Sequence, residues 1–223
     1  KRVTDRVKRW YEDRFGKDKK FTEEEKFYNE FKREHGIQYH FYFEDIHARY
    51  FNEDGTRKTA TVPRTIDLQG ADEELYERLE KYFVALVKKF SEGNKKPLVF
   101  SEVIVYDPKK GEAGTIDLLI VEETGKANIL DWKFMTIGAM ADDVPWYKQG
   151  AFNIQLGRYK DILKDSYGVK EIGMNRAIPI LMDVKRKNPK NPNSELVVKG
   201  IEIGSVDVSK IKDLTLVPVS EET

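Results

Sequence analysis

The spacing of apolar residues changes near Pro97 and divides the chain into two parts. Before this residue, apolar side chains recur every three or four positions, which is typical of amphipathic helices. The pattern predicts helices over Val3 to Phe15, Thr22 to Glu34, Gln38 to Phe51 and Asp72 to Phe90. A capping box formed by Thr22 and Glu25 supports the start of the second helix. Residues 1–92 are therefore expected to form a mainly helical N-terminal part.

After Pro97, short β-branched and apolar segments alternate with turn residues. The pattern predicts three strands of an antiparallel meander, over Leu98 to Tyr106, Gly114 to Val121 and Ala127 to Phe134. It then predicts a helix over Trp146 to Tyr167 and two further strands, over Arg176 to Val184 and Glu195 to Ile203. The second strand is apolar on both faces except at Asp117, so helices are expected on both sides of the sheet. The predicted fold class is α/β, with a mixed central sheet in residues 97–205.

Composition restricts the class of protein. A chain of 223 residues with 39% hydrophobic content can form one large domain, and residues 1–223 are expected to do so. The 39 basic and 39 acidic residues cancel, so contacts with nucleic acid would come from local patches. The absence of cysteine excludes disulfides and thiolate ligands. With no membrane-length apolar run or leader in the sequence, a soluble intracellular protein is expected, and a fragment of a longer protein is left open.

Two carboxylates and a lysine come together in the predicted hairpin of the second and third strands. If Glu123-Thr124-Gly125 form a three-residue loop, Asp117 lies opposite Asp131, with Cβ atoms about 4.5 to 5.5 Å apart. Lys133 shares the face of Asp131 because residues two apart in a strand do so. Two buried carboxylates require a cation, and hard oxygen ligands favour Mg²⁺ or Mn²⁺. A surface hairpin with an ordinary ion pair is the alternative, although the apolar flanks disfavour it.

Four segments of the chain resemble, in order, the motifs of the RecB-like branch of the PD-(D/E)XK nuclease superfamily. They are Gly36-Ile37-Gln38-Tyr39-His40, Gly114-Thr115-Ile116-Asp117, Asp131-Trp132-Lys133 and Gln155-Leu156-Gly157-Arg158-Tyr159. The opening of the first strand, Ser101-Glu102, is similar to that of phage and mitochondrial members. The resemblance implies a restriction-endonuclease-like core and a Mg²⁺- or Mn²⁺-dependent DNA nuclease of DNA repair or recombination. It favours an exonuclease acting on DNA ends or single strands, with a helicase or other replication protein as a possible partner.

The resemblance also implies a role for individual residues. Asp117 and Asp131 correspond to the metal-binding carboxylates, and the backbone carbonyl of Trp132 to a further ligand. Lys133 corresponds to the catalytic lysine, which would orient the attacking water or stabilise charge on the phosphate. His40 corresponds to a helix histidine that adds an imidazole ligand.

Several of these roles have alternatives. His47 lies seven residues after His40 on the same helical face and competes with it as a ligand. Glu102 could bind metal through water, accept a hydrogen bond from Lys133, or face solvent at the start of the strand. Glu44, four residues after His40, could orient the imidazole or lie on an ordinary surface.

The last helix motif and the substrate contacts are also open to more than one interpretation. Gln155 and Tyr159 project from one helical face and would steady the lysine region and touch the DNA backbone, or else serve only packing. Lys109-Lys110 and the run Lys185 to Lys190 could hold phosphates, or be solvated charges. A catalytically silent nucleic-acid-binding or assembly module is the second functional hypothesis. A phosphohydrolase of small substrates is disfavoured because the chain has no glycine-rich phosphate loop.

Overall fold

The computed structural model describes residues 1–16, 20–136, 146–203 and 206–207. Its helices are α1 Val3–Phe15, α2 Glu23–Tyr50, α3 Ala71–Phe90 and α4 Trp146–Tyr167, with a short 3₁₀ helix at Glu92–Asn94. Its strands are β1 Leu98–Asp107, β2 Glu112–Val121, β3 Ala127–Thr136, β4 Ile172–Arg186, β5 Leu196–Ile203 and β6 Val206–Asp207.

The strands form one mixed sheet in the order β1-β2-β3-β4-β5, with β6 pairing with β4. β1, β2 and β3 form the predicted antiparallel meander. β3 and β4 run parallel, and β5 returns antiparallel to β4. The α/β class with a mixed sheet is therefore confirmed.

The hairpin between β2 and β3 has the loop that the sequence predicts. Gly125 adopts φ +81°, and its N–H donates to the carbonyl of Glu122 at 2.8 Å. Pairing then runs from Val121 with Ala127 to Leu118 with Leu130, which is the predicted register. Asp117 and Asp131 are each one residue beyond the last pair, at the point where the β2–β3 ladder ends.

Helices cover the sheet on both faces, as the apolar character of β2 predicts. On one face, α2 and α3 pack on Leu118, Leu130 and Trp132, and we call this layer the α2–α3 core. On the other face, residues of α1 and α4 pack with Ile116 and Ile129, and we call this layer the α1–α4 core. The central strands are thus removed from water on both sides.

The two helices predicted over Thr22 to Glu34 and Gln38 to Phe51 are one continuous helix, α2, of 28 residues. The predicted break was wrong because Gly36 does not end the helix. Gly36 is buried, and a Cβ built on it would lie 3.4 Å from the ring of Phe134 on β3. The glycine therefore serves the close approach of α2 to the sheet. The predicted capping box at the start of α2 is confirmed, since Thr22 Oγ1 accepts from the Glu25 N–H at 3.2 Å.

In both β1 and β2, the alternation of side chains between the two faces of the sheet reverses at the same position along the pair. On β2, Leu118 packs in the α2–α3 core, whereas Ile116 packs in the α1–α4 core. On β1, Val99 and Val103 differ in the same way. Residues an even number apart share a face in a regular strand, so both strands turn over between these positions. Glu102 lies at this switch with φ +52°, a left-handed conformation that side-chain-bearing residues seldom adopt.

Gly114 on β2 and Gly157 on α4 form a matched pair for testing the packing of α4. A Cβ on Gly114 would lie 2.5 Å from the Tyr159 ring and 3.1 Å from Val3, whereas a Cβ on Gly157 would have no neighbour within 4 Å. We expect Gly114→Ala to lower the free energy of unfolding by about 1 to 3 kcal/mol through overpacking. Gly157→Ala should raise it by up to ~1 kcal/mol because alanine favours the helix. Urea denaturation measures both, and equal effects would contradict this account.

Candidate metal-dependent active site

Two carboxylates are buried where the β2–β3 ladder ends. Asp131 is 1% exposed and Asp117 is 9% exposed. Asp117 Oδ2 accepts a hydrogen bond from the backbone N–H of Trp132 at 2.7 Å. The Asp117 carboxylate therefore serves as the hydrogen-bond acceptor of a β3 N–H, just beyond Leu118 and Leu130, the last residues that pair between the two strands.

The two carboxylates repel each other in this buried position. Burial, and after it the charge of Asp131, raise the pKa of Asp117 to about 8. His40, Lys133 and the Trp132 N–H act in the opposite direction but do not cancel the increase. These three groups therefore compensate the negative charge of the two carboxylates only in part.

Lys133 is held between Asp131 and α4. Its Nζ forms an ion pair with Asp131 Oδ2 and donates to Gln155 Oε1 at 2.8 Å. Gln155 Nε2 in turn donates to Asp131 Oδ1 at 3.2 Å and to the Tyr159 hydroxyl at 3.1 Å. The side-chain amide of Gln155 thus links all three groups and restricts the position of the ammonium.

Tyr159 forms the buried end of this network. It is 2% exposed, and burial raises its pKa to about 12. Its phenol is therefore neutral near pH 7 and packs against Gly114 in the α1–α4 core. The tyrosine therefore packs on the sheet and the glutamine contacts Lys133, whereas contact of this pair with the DNA backbone stays a prediction.

His40 and Glu102 approach Asp117 from α2 and β1. His40 Nδ1 lies 3.5 Å from Glu102 Oε1. One ligand atom from each of His40, Glu102 and Asp117 lies within 4.8 Å of the others. Burial lowers the pKa of His40, but the hydrogen bond with Glu102 and the charge of Asp117 outweigh it, and the net change is an increase. Four acidic or imidazole groups thus gather at the same end of the hairpin.

His47 makes a different contact and is separated from this cluster. Its Nε2–H donates to the Val99 carbonyl at 2.7 Å, and its ring stacks on Phe51. Burial lowers the pKa of His47, which keeps the imidazole neutral. Of the two histidines on this helical face, His40 is therefore the one that the fold places beside the carboxylates. Glu44 lines a cavity with Glu102, and burial and the charge of Glu102 raise its pKa.

The donor set fits a hard divalent cation. Asp131 Oδ2 is buried and accepts no hydrogen bond from the described residues, so its only compensation there is the ion pair with Lys133. Carboxylate oxygens and one imidazole suit Mg²⁺ or Mn²⁺, and the chain has no thiol to favour a softer ion. The three converging ligand atoms include Glu102 in addition to the predicted His40 and Asp117, whereas Asp131 is engaged by Lys133 and Gln155. The Trp132 carbonyl stays a predicted ligand.

A second charged cluster, which the sequence pattern does not predict, lies at the turn of the β1–β2 hairpin. Arg158 on α4 is 5% exposed, forms an ion pair with Asp107, and donates to Glu112 Oε2 at 2.5 Å. Arg6 on α1 donates to Glu112 Oε1 at 2.5 Å. In the sequence, the position of Arg158 directly before the motif tyrosine Tyr159 was the signal that could have indicated this cluster. In the structure, Arg158 lies on the face of α4 that meets the hairpin.

Half of the basic residues predicted to hold phosphates have other partners. Within the run Lys185 to Lys190, Lys185 pairs with Asp183, Arg186 with Glu24 and Lys187 with Glu195.

No protein-family model matches the chain, and no curated protein matches it significantly. Over the described residues, none of the helices has the length and apolar character needed to cross a membrane.

The protonation of Asp117 should be visible in the stability of the metal-free protein. A folded-state pKa of about 8, above the ordinary 3.8, means that the folded protein retains a proton between these values. Stability from this group is therefore full below about pH 3.8 and declines as the pH rises to about 8. We expect Asp117→Asn to raise the free energy of unfolding by at least ~1 kcal/mol at about pH 8.5 and to have a smaller effect at about pH 5.

Urea denaturation in EDTA measures this difference. Asp161→Asn, a change at an exposed residue of α4, is the control and should alter stability equally little at both pH values. A uniform loss of stability in Asp117→Asn would contradict the raised pKa.

Proposed function

We propose that the chain is a metal-dependent DNA nuclease that hydrolyses phosphodiester bonds, with Mg²⁺ or Mn²⁺ as its cofactor. One observation carries this proposal: buried Asp117 and Asp131, incompletely compensated, share one end of the hairpin with Lys133, His40 and Glu102. A cluster with this excess of negative charge is stable when a cation occupies it. Nothing in the packing of the sheet requires these charges.

The arrangement of elements supports a restriction-endonuclease-like core. A helix that carries His40 precedes a three-stranded meander that carries Glu102, Asp117 and Lys133, and a helix that carries Gln155 follows it. A strand parallel to β3 then extends the sheet. This is the α-β-β-β-α order that the resemblance implies, over one nuclease domain within residues 1–223.

The proposed metal site uses Asp117, Glu102 and His40, with Asp131 and the Trp132 carbonyl as further ligands. When bound, the ion would polarise the phosphate and lower the pKa of a water molecule. Asp117 keeps one oxygen on the Trp132 N–H, which fixes the direction of its carboxylate. His40 is oriented by its contact with Glu102, as bound imidazoles commonly are by a carboxylate.

Lys133 supplies a positive charge at a restricted position. Its ammonium is bound by Asp131 and Gln155, and its side chain is 21% exposed, so one part remains accessible to substrate. From there it would orient the attacking water or stabilise the charge that develops on the phosphate oxygens. Such preorganised groups typically lower a barrier by several kcal/mol. Gln155 and Tyr159 act through Lys133 and are positioning residues.

DNA is the proposed substrate, and exonuclease action on ends or single strands is preferred to endonuclease action. This preference comes from the resemblance, as does a helicase or other replication protein as partner. A catalytically silent nucleic-acid-binding module is the second candidate. It is disfavoured because a binding surface has no use for a buried Asp117 with a raised pKa.

Cleavage assays test the nuclease proposal directly. Labelled single-stranded, duplex, linear and circular DNA should be cut in Mg²⁺ or Mn²⁺ and left intact in EDTA. We expect Asp117→Ala to abolish cleavage and Lys133→Ala to reduce kcat by about 10²- to 10³-fold. Lys160→Ala, at an exposed lysine of α4, is the matched control and should retain full activity.

Two outcomes would overturn parts of the proposal. Unchanged cleavage in Asp117→Ala and Lys133→Ala would remove the assigned site, and no cleavage by the unmodified chain with any metal would favour the binding module. Cutting of closed circles would replace exonuclease by endonuclease action.

Calorimetry distinguishes the two histidines as metal ligands. We expect His40→Ala to weaken Mn²⁺ binding by at least ~10-fold because a direct ligand is lost. His47→Ala should leave the affinity unchanged, since the His47 imidazole is bound to the Val99 carbonyl. Circular dichroism checks that both variants fold, and an equal effect of the two substitutions would return His40 to a structural role.

A further inference from the structure

A pocket of about 430 Å³ at the start of β1 is lined by four basic residues. These are Arg57, Lys58, Lys95 and Lys96, and we call the site the basic pocket. Its floor includes Phe51, Pro97 and Leu98, and the hydroxyl residues Thr56 and Ser91 complete the wall. This concentration of cations stands out in a chain whose net charge is zero.

No carboxylate lines the basic pocket, and none of its four cations forms a salt bridge within the described part of the chain. The Lys58 ammonium donates to the Ala48 carbonyl, which fixes its position without removing its charge. Two carboxylates lie at its edge and bind neutral groups: Glu123 accepts from the backbone N–H of Lys96 at 2.9 Å, and Asp54 accepts from the hydroxyl of Thr56 at 2.5 Å. Other basic side chains of this protein, such as Lys185 and Lys187, are paired with carboxylates.

The backbone that carries Arg57 and Lys58 is fastened to α2 and β1. Arg57 pairs with Phe51 in an isolated β-bridge, and the Val99 N–H donates to the Gly55 carbonyl at 2.9 Å. Gly55 permits this contact, because a Cβ there would lie 2.7 Å from the Phe100 ring. The cations are therefore presented by a fixed loop, which reduces the entropy lost when an anion binds.

The basic pocket leads toward the proposed metal site along β1. A second cavity, of about 420 Å³, lies between them and is lined by His47, Glu102 and Phe100. His47 stacks on Phe51 of the basic pocket, with ring centroids 5.5 Å apart. Leu98 and Glu102 are four residues apart on β1, which corresponds to about 13 Å of extended strand.

This separation is compatible with the backbone of a nucleic acid. Charges on one strand of duplex DNA repeat about every 3.4 Å along the helix axis, so one strand can place one phosphate at the metal site and another about 13 Å away in the basic pocket. The intervening cavity also carries Glu44 and Glu53, which repel phosphate, so the strand would be held at its two ends. Phosphate contacts of this kind give affinity without sequence preference.

We propose that the basic pocket binds a backbone phosphate of the nucleic-acid strand, a different phosphate from the one at the metal site. The identity of the ligand as nucleic acid rests on the proposed nuclease function. The binding itself does not require metal or cleavage, so the two proposals can be tested separately.

Fluorescence anisotropy with a labelled 12-nucleotide single strand in EDTA tests the binding. The test variant is Lys95→Gln with Lys96→Gln, and the control is Lys160→Gln with Lys164→Gln, which removes two positive charges from exposed residues of α4. We expect the test variant to bind about tenfold more weakly at low salt, with the slope of log K against log salt reduced by about 1.4. The control should bind like the unmodified chain.

Cleavage assays then test whether the pocket contributes only to substrates with several phosphates. A dinucleotide has a single internucleotide phosphate and cannot occupy the metal site and the basic pocket together, so the test variant should lose kcat/KM on the 12-mer and retain it on the dinucleotide. Equal weakening in the test and control variants, or no binding of the 12-mer by the unmodified chain, would overturn the phosphate pocket. Normal 12-mer binding with no cleavage in any metal would contradict the nuclease proposal and leave the pocket supported.

Discussion

The ends of β2 and β3 separate at Asp117 and Asp131, and the architecture of the site follows from this separation. The ladder stops at Leu118 and Leu130, so the Trp132 N–H requires another acceptor and obtains it from the Asp117 carboxylate. For the Trp132 N–H, an acidic side chain thus takes the place of a neutral backbone carbonyl. The hairpin therefore gains a hydrogen bond but acquires a buried anion next to a second one.

Separation of the strands also opens the site to both layers of helices. His40 reaches it from α2 on one face, and Gln155 reaches it from α4 on the other. Both helices come close to the sheet at glycines, with Gly36 against Phe134 and Gly114 against Tyr159. A Cβ on Gly114 would lie 2.5 Å from the Tyr159 ring, so a side chain there would displace α4 and lengthen the contacts that position Lys133. A Cβ on Gly36, 3.4 Å from the Phe134 ring, would be in ordinary contact.

Local patterns were sufficient to predict the hairpin and most of the helices. The register of β2 and β3 depends on a three-residue loop, and the position of Gly125 in the sequence specifies that loop. By contrast, intrinsic propensity predicts a break in the helix around Gly36, because it does not show that a buried glycine packs against the sheet within a continuous helix. Periodicity could not choose between His40 and His47, since both lie on one helical face. The left-handed φ of Glu102 depends on the sheet around it and leaves no mark in the sequence.

Two buried groups of charges on the β1–β2 hairpin are compensated to different degrees. At the turn of the hairpin, Asp107 and Glu112 are buried with Arg158 and Arg6. The Arg158 contact lowers the pKa of Asp107; burial raises the pKa of Glu112, but Arg6 and Arg158 outweigh it. Two anions are matched there by two cations, and the cluster joins α1 and α4 to the hairpin.

In the middle of the two strands, three carboxylates share one lysine and one imidazole, and the pKa of Asp117 is raised to about 8. The chain thus neutralises its buried acids with arginine at the turn and compensates those in the middle only in part. This imbalance supports the proposed cation site, and the cluster at the turn joins the hairpin to α4, which carries Gln155 and so positions Lys133.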